Sequence, residues 1–134
     1  MPVLRHEVLP LQSQSDIVTV RQVVRHWAID AGLGLVDQTK LVTAASELAR
    51  NAVEYGGGGT ARLEQLEDGP RRGVRLTFED HGPGIADVAL ALTDGYTTGK
   101  GMGLGLGGSR RLVNEFEIDS APGRGTRVTV ARWK

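Results

Sequence analysis

The chain contains no cysteine among its 134 residues. A protein without cysteine has no disulfide framework, no thiol nucleophile and no thiolate metal site. It also lacks net charge, because 16 lysine and arginine residues balance 16 aspartate and glutamate residues. Bulk electrostatic attraction gives no reason to expect a nucleic-acid partner.

Long apolar runs are absent as well. The N-terminal residues MPVLRHEVLPLQ contain no run of the length that a signal peptide requires, and no later stretch is apolar enough to span a bilayer. These absences favour a cytoplasmic protein with no membrane partner. The length predicts one domain over residues 1–134, built around one core.

Glycine is the residue in excess, with 19 copies that cluster at 56–59, 82–84 and 95–108. The densest run, GKGMGLGLGG at 99–108, does not form a Walker A loop, because Gly101 follows Lys100 where serine or threonine is required. A dinucleotide fingerprint matches by spacing, but the preceding residues are polar and turn-like instead of a strand. These two phosphate-binding motifs are therefore excluded.

Two interpretations of the run remain open. It is either a solvated surface loop, or a lid whose backbone amides bind phosphates together with the start of the following helix. Met102, Leu104 and Leu106 alternate with the glycines and are too apolar for a solvated linker. They favour the lid, in which Lys100 could add a positive charge.

Apolar periodicity predicts the fold. Apolar residues recur at intervals of three and four up to Tyr55, which indicates helices, and alternate with polar residues afterwards, which indicates strands. The predicted elements are a strand at Val3–Leu9, a helix after the Ser13–Asp16 capping box, a helix capped by Asp37 and ended by glycines 56–59, hairpin strands around 61–63 and 74–78, helical turns at 86–92, a helix at Ser109–Phe116, and a hairpin joining 118 to 128–130. Four of the five strands pair as hairpins, so we expect an α/β two-layer sandwich whose mixed sheet is largely antiparallel, with helices on one face.

The second helix carries a candidate catalytic pair. Glu47 and Asn51 are four residues apart and share one helix face, with Arg50 beside them, and that face lies opposite much of the apolar stripe. A carboxamide oxygen can bind Mg²⁺, and a carboxylate can act as a base. The same pair is also compatible with an ordinary solvated helix face.

A second candidate site lies where a predicted strand ends, at EDHGPG. Asp80 is followed by Gly82 and Gly84, and glycine lets the backbone pass close to a ligand. A carboxylate in this setting suits a flat ring with an exocyclic amine. An ordinary turn explains the same residue types, and Gly125-Thr126 in the last hairpin says nothing when taken alone.

The order of these features is more specific than any one of them. E-x-x-x-N on a helix, D-x-G-x-G after a strand, a glycine run that opens a helix, and G-T before the last strand together resemble the GHKL, or Bergerat, ATP-binding fold of gyrase, Hsp90, histidine kinases and the MutL proteins. SELARNAVEYGGGG and GMGLGLGGSRRLVNEFEIDSAPGRGT are most similar to the RsbT-type serine/threonine-protein kinases, anti-sigma regulatory factors of the stressosome. The resemblance runs from about Asp16 to the C-terminus.

The resemblance implies ATP and Mg²⁺ as cofactors and a role for each matched residue. Glu47 would be the general base, Asn51 would coordinate Mg²⁺, and Asp80 would accept from the adenine amine. Arg50 and Lys100 do not follow from the matched motifs, and either could neutralise phosphate charge. The remaining expected ATP-binding residues are Gly82, Gly84, Gly101, Met102, Gly103, Leu104, Gly105, Gly107 and Thr126, of which those between Gly101 and Gly107 would form the phosphate lid.

The same resemblance implies protein partners. A kinase of this type phosphorylates a serine on a STAS-domain antagonist and, once released, binds and activates a PP2C-type phosphatase. Two alternatives remain: an anti-sigma factor of the same fold that sequesters a sigma factor, and a non-catalytic ATP-gated binding module. The intact Glu47 argues against the binding module, and oligomeric state is left open.

Overall fold

The computed structural model describes residues 3–92 and 105–134. Its elements, in chain order, are β1 (Val3–Leu11), α1 (Gln14–Asp30), α2 (Leu35–Glu54), β2 (Gly59–Asp68), β3 (Arg71–Asp80), α3 (Val88–Ala91), α4 (Gly105–Arg110), β4 (Glu115–Ser120) and β5 (Thr126–Trp133). None of the helices in these two segments is both long and apolar enough to cross a membrane.

The strands form one five-stranded sheet in the order β1-β2-β3-β5-β4, and every neighbouring pair is antiparallel. Both predicted hairpins, β2–β3 and β4–β5, are present, and β5 pairs with β3 to join them. The predicted edge strand β1 is also confirmed. It continues through Pro10, which an edge strand tolerates because one side of its backbone has no strand to bond.

Helices α1 and α2 pack together on one face of the sheet and enclose the core. The buried side chains come from both helices and from the inward-facing positions of β2, β3 and β5, including Val24, Leu41, Leu63, Leu76 and Val130. Burial of this apolar face is the main force that holds the two layers together. The predicted two-layer sandwich is therefore confirmed.

The opposite face of the sheet carries polar and charged side chains. Arg75 on β3 donates two hydrogen bonds to Glu64 on β2, at 2.8 and 3.1 Å. Glu64 is only 7% exposed, yet the hydrogen bond from Arg75 outweighs desolvation and lowers the pKa of its carboxyl. Cross-strand pairing of opposite charges thus satisfies a buried carboxylate.

Two helix boundaries differ from the prediction. Helix α2 begins at Leu35 with Gly34 as its N-cap, so Asp37 lies inside the first turn, where its carboxylate accepts from Arg132 at 2.7 Å. The helix predicted at Ser109–Phe116 is wrong in extent, because α4 ends at Arg110 and Phe116 belongs to β4. Strand pairing explains the second difference, since Phe116 lies opposite Val130 of β5.

Candidate functional site

A cavity of about 550 Å³ lies between α2, the adjoining ends of β3 and β5, the loop that leads into α3, and the start of α4. Predicted site residues from four separate parts of the chain line it together. They are Glu47, Arg50, Asn51, Asp80, Gly84, Gly105 and Thr126. Helix packing on the sheet brings the E-x-x-x-N face of α2 over the strand ends, which no single segment could do.

Glu47 lies on the wall that α2 provides. Its carboxylate accepts a hydrogen bond from Arg50 Nη2 at 2.6 Å and one from the Gly105 amide at 3.3 Å. Glu47 is only 9% exposed. Its face of α2 is therefore not the solvent-exposed face that a position opposite the apolar stripe predicts. Packing of α4 against α2 accounts for the difference, because α4 buries the carboxylate at its N-terminal end.

Asn51 lies one turn further along α2 and also faces the cavity. Within residues 3–92 and 105–134, no hydrogen bond engages its carboxamide. A half-buried amide whose donor and acceptor atoms have no partner in those two ranges is suited to bind a ligand or a hard cation. Asn51 and Glu47 therefore differ in their hydrogen bonding, because the Glu47 carboxylate already accepts from Arg50 and Gly105.

Asp80 ends β3 and lies opposite both Gly59 of β2 and Thr126 of β5. The Gly82 amide donates to its Oδ1 at 2.9 Å, which fixes the carboxylate. Among the residues that the structure describes, none donates to Oδ2, which can accept from a ligand. A side chain at Gly56 would overlap this carboxylate. The glycines after α2 thus end the helix and also make room for Asp80.

Gly84 requires glycine for two reasons. Its φ of +78° lies in the left-handed region, and a Cβ there would overlap the carbonyl oxygen of Ala121. The backbone at Gly84 therefore passes directly over the β4–β5 turn while lining the cavity. Gly82 is close-packed as well, because a Cβ on it would lie 2.6 Å from Gly56 Cα.

The glycine run is only partly described. Gly105 begins α4 and lines the cavity, whereas Gly107 is buried inside α4 and is not among the residues that line it. The other predicted residues of the run lie outside the described residues: Lys100, Gly101, Met102, Gly103 and Leu104. The helix thus begins within the run, four residues before its predicted start.

The rest of the lining is apolar and was not expected from sequence motifs. Phe78 and Val128 contribute from the inner face of the sheet. The loop after β3 contributes Ile85, and α3 contributes Leu90 and Ala91. The alternation of β3 and β5 indicated Phe78 and Val128 as core residues. No spacing signal distinguished a core position from a cavity wall, since both require the same residue types.

The cavity can therefore bind a flat apolar ring between polar ends. Near the strand ends, Oδ2 of Asp80 and the hydroxyl of Thr126 can meet polar ring substituents. Near α2, the Asn51 amide and the Glu47–Arg50 pair can meet a charged, metal-bound group and a reacting hydroxyl. This division matches a ring that carries a phosphate chain.

Comparison with known proteins places the chain in a defined group. Residues 36–134 match the family model of the histidine kinase-, DNA gyrase B- and HSP90-like ATPases. The chain is 42% identical to the serine/threonine-protein kinase RsbT of Bacillus subtilis (strain 168) over 123 residues, which covers 92% of each protein. It is 26% identical to the anti-sigma F factor of Thermoanaerobacter sp. (strain X514) over 84% of this chain and 82% of that protein.

Solved structures share the fold at low sequence identity. The mycobacterial sensor histidine kinase MprB aligns with a TM-score of 0.57 at 19% identity, covering 96% of this chain and 97% of that chain. A chain of the SiaB–SiaC complex from Pseudomonas aeruginosa aligns with a TM-score of 0.56 at 15% identity, covering 98% and 91%. These two likenesses support the architecture of sheet and helices alone.

Proposed function

The chain belongs to the histidine kinase-, DNA gyrase B- and HSP90-like ATPases and, among them, to the RsbT-type serine/threonine-protein kinases, and we propose that it transfers the γ-phosphate of ATP to a serine of a STAS-domain antagonist in a partner-switching pathway. The observation that carries the proposal is the convergence of Glu47, Asn51, Asp80 and Thr126 on one cavity. After release from the antagonist, the kinase binds and activates a PP2C-type phosphatase. The pathway is cytoplasmic.

The base of the nucleotide binds where β3 ends and β5 begins. Asp80 accepts from the exocyclic amine through Oδ2, because Oδ1 is bonded to Gly82. Phe78, Ile85 and Val128 enclose the ring with apolar surface, which excludes water from the carboxylate–amine contact. Gly84 provides backbone without a side chain against the ring.

The phosphate end binds beside α2. The carboxamide oxygen of Asn51 fits Mg²⁺, which takes oxygen ligands and usually completes its coordination with water and phosphate oxygens. When bound, Mg²⁺ supplies positive charge that neutralises the phosphates. Lys100 and the glycines from Gly101 to Gly105 complete the phosphate site in this proposal; Gly107, which is buried inside α4, is left out of it.

Glu47 is the general base. Its carboxylate accepts the proton of the attacking serine hydroxyl, and Arg50 holds the carboxylate in place through the 2.6 Å hydrogen bond. Phosphoryl transfer depends on positioning and charge stabilisation, so one oriented base with one metal-binding amide is a sufficient set of residues on α2. Serine or threonine oxygen, and not histidine, is the acceptor.

Replacing Glu47 by Gln tests the catalytic assignment. The amide keeps the size of the side chain and cannot accept the serine proton, so transfer falls by about 100-fold or more while ATP binding persists. The measurement is transfer from radiolabelled ATP to a purified STAS-domain protein. Glu67→Gln, on the β2 strand away from the cavity, is the matched control. Unchanged transfer in Glu47→Gln would remove Glu47 from the mechanism.

Asn51→Ala tests the metal assignment. The variant loses the oxygen that faces the cation, so the rise in melting temperature with ATP becomes weaker in the presence of Mg²⁺ and unchanged in its absence. Thermal shift titrations with ATP, run with Mg²⁺ and with a chelator, measure both. If Asn51→Ala kept the same Mg²⁺ dependence and the same affinity, the metal would be held by other residues.

Sequestration of a sigma factor is a second candidate function, favoured by the 26% identity to an anti-sigma F factor. Both activities use the same nucleotide site, so they are separated by the protein that binds. Affinity capture from lysate with and without Mg-ATP is the test. Recovery of a sigma factor, with neither a STAS-domain protein nor a phosphatase, would favour sequestration over the kinase pathway.

A further inference from the structure

Ser120, the last residue of β4, lies beside the nucleotide site and has no role in the function proposed above. It pairs with Thr126 across the sheet. Its hydroxyl has three partners: the Ile85 amide at 2.9 Å, the Gly125 carbonyl oxygen at 2.9 Å and Thr126 Oγ1 at 2.8 Å. A half-buried hydroxyl with three partners is used to its full capacity.

The direction of each hydrogen bond follows from counting protons. A serine hydroxyl has one proton to donate and two lone pairs to accept with. The Ile85 amide can only donate, and the Gly125 carbonyl can only accept. Ser120 therefore gives its one proton to Gly125, and the Thr126 hydroxyl must be the donor in its bond to Ser120.

The direction of the Thr126–Ser120 hydrogen bond determines which atoms of Thr126 can bond to a ligand in the cavity. Because its one proton points at Ser120, Thr126 Oγ1 presents only lone pairs to a ligand. Its cross-strand neighbour Asp80 is an acceptor too, through Oδ2, to which none of the described residues donates. The base end of the cavity thus offers acceptors from two adjacent side chains.

We infer that Ser120 is a specificity-determining residue that acts through Thr126, selecting a 6-amino purine over a 6-oxo purine. The inference rests on the proposed nucleotide function. An exocyclic amine brings N–H donors to the two acceptors, whereas a 6-oxo oxygen at the same place brings lone pairs against them. Without Ser120, the Thr126 hydroxyl rotates freely and can donate to the 6-oxo group.

The test compares two nucleotides that differ in the 6-substituent and in the N1 proton that the 6-oxo form carries, and the change in their ratio between wild type and variant isolates the effect of Ser120. The magnesium complexes of non-hydrolysable ATP and ITP analogues are titrated against the full chain by calorimetry, and the ratio of the two Kd values is the readout. The wild-type protein prefers the adenine analogue. Ser120→Ala reduces this preference by about tenfold, the size of one mismatched hydrogen bond. Thr129→Val, which removes a hydroxyl from the other face of β5, leaves it unchanged.

Three further variants separate specificity from structural support. Thr126→Val reduces the preference at least as much as Ser120→Ala, and the double variant equals Thr126→Val alone, because Ser120 acts through Thr126. Thr126→Ser keeps the preference, since it retains the hydroxyl. These variants also carry the test if Ser120→Ala does not fold.

Two results would overturn the inference while leaving the proposed function intact. One is a Ser120→Ala protein that loses affinity for both analogues equally, which would mean that Ser120 only supports the turn. The other is an unchanged preference in Thr126→Val. A wild-type protein that binds neither analogue would overturn the nucleotide function itself, and the inference with it.

Discussion

Arg50 donates to Glu47 at 2.6 Å and lies 3.9 Å from Glu54, so its guanidinium connects two carboxylates along α2. Its side chain is 26% exposed, and it also lines the cavity. Its charge and its place beside Glu47 and Asn51 suggest a role in neutralising phosphate charge. The short bond to Glu47 favours a different role, in which Arg50 positions the base.

Arg50→Met separates the two roles. If Arg50 orients Glu47, turnover falls by about tenfold through loss of one charge-assisted hydrogen bond, while the KM for ATP changes little. In a Glu47→Gln background the same substitution causes no further loss, because the two residues act as one unit. Steady-state kinetics of the single and double variants measure this. A rise in KM as large as the fall in turnover would instead assign Arg50 to the phosphates.

Helix α2 is the element on which the site depends, since it supplies Glu47, Arg50 and Asn51. Its N-terminal turn is attached to the sheet through Asp37, which accepts from Arg132 of β5 at 2.7 Å. Arg132 also donates to the Leu112 carbonyl at 3.2 Å. This connection holds the N-terminal turn of α2 to the C-terminal end of β5, the strand that begins with Thr126.

Asp37→Ala is expected to destabilise the protein more than Arg132→Met. The Arg132 side chain is 15% exposed and the Asp37 side chain 36%. Leaving the guanidinium without its carboxylate therefore costs more free energy than leaving the carboxylate without its guanidinium. We expect Asp37→Ala to lower the free energy of unfolding by about 1–3 kcal/mol, and Arg132→Met by less. Urea denaturation measures both. Asp119→Ala, which removes only exposed ion pairs, is the control, and the reverse order of the two effects would contradict this account.

At the scale of the whole molecule, the two faces of the sheet have different roles. The helix face supplies the core and the cavity, and the other face carries cross-strand charge pairs such as Glu64–Arg75. The lowered pKa of Glu64 connects that outer face to the pH dependence of folding. A carboxyl whose pKa is lower in the folded state contributes stability above its unfolded pKa and loses it as the pH falls through the folded pKa.

Arg75→Gln tests this contribution. At pH 7 the variant loses about 1–3 kcal/mol of unfolding free energy, because the nearly buried Glu64 carboxylate lacks its main partner. The difference from wild type decreases as the pH falls below about 4.3, the ordinary glutamate value, since protonated Glu64 no longer needs a cation. Urea titrations at several pH values measure it, with Arg127→Gln in an exposed pair as the control. A difference that does not depend on pH would contradict the assignment.

Most of the fold was predictable, because the spacing of apolar residues along the chain indicates helices and strands. The two hairpins and the long helices were predicted, whereas the extent of α4 was not. Phe116 has helical spacing with Leu112 and Val113, yet pairing with β5 determines its conformation. Local pattern fails where a long-range strand partner competes with a short helix.

The sequence by itself determined the order of the strands and long helices, the family, and the motif residues Glu47, Asn51, Asp80 and Thr126 that converge on the cavity, because these follow from local periodicity and ordered motifs. Only the tertiary structure decided what those side chains do to one another. The bonds of Glu47 to Arg50 and Gly105, the room that Gly56 leaves for Asp80, and the proton that Thr126 gives to Ser120 all join or position groups on different turns or segments. Hydrogen-bond direction and close approach depend on ångström-scale geometry, which sequence spacing does not specify.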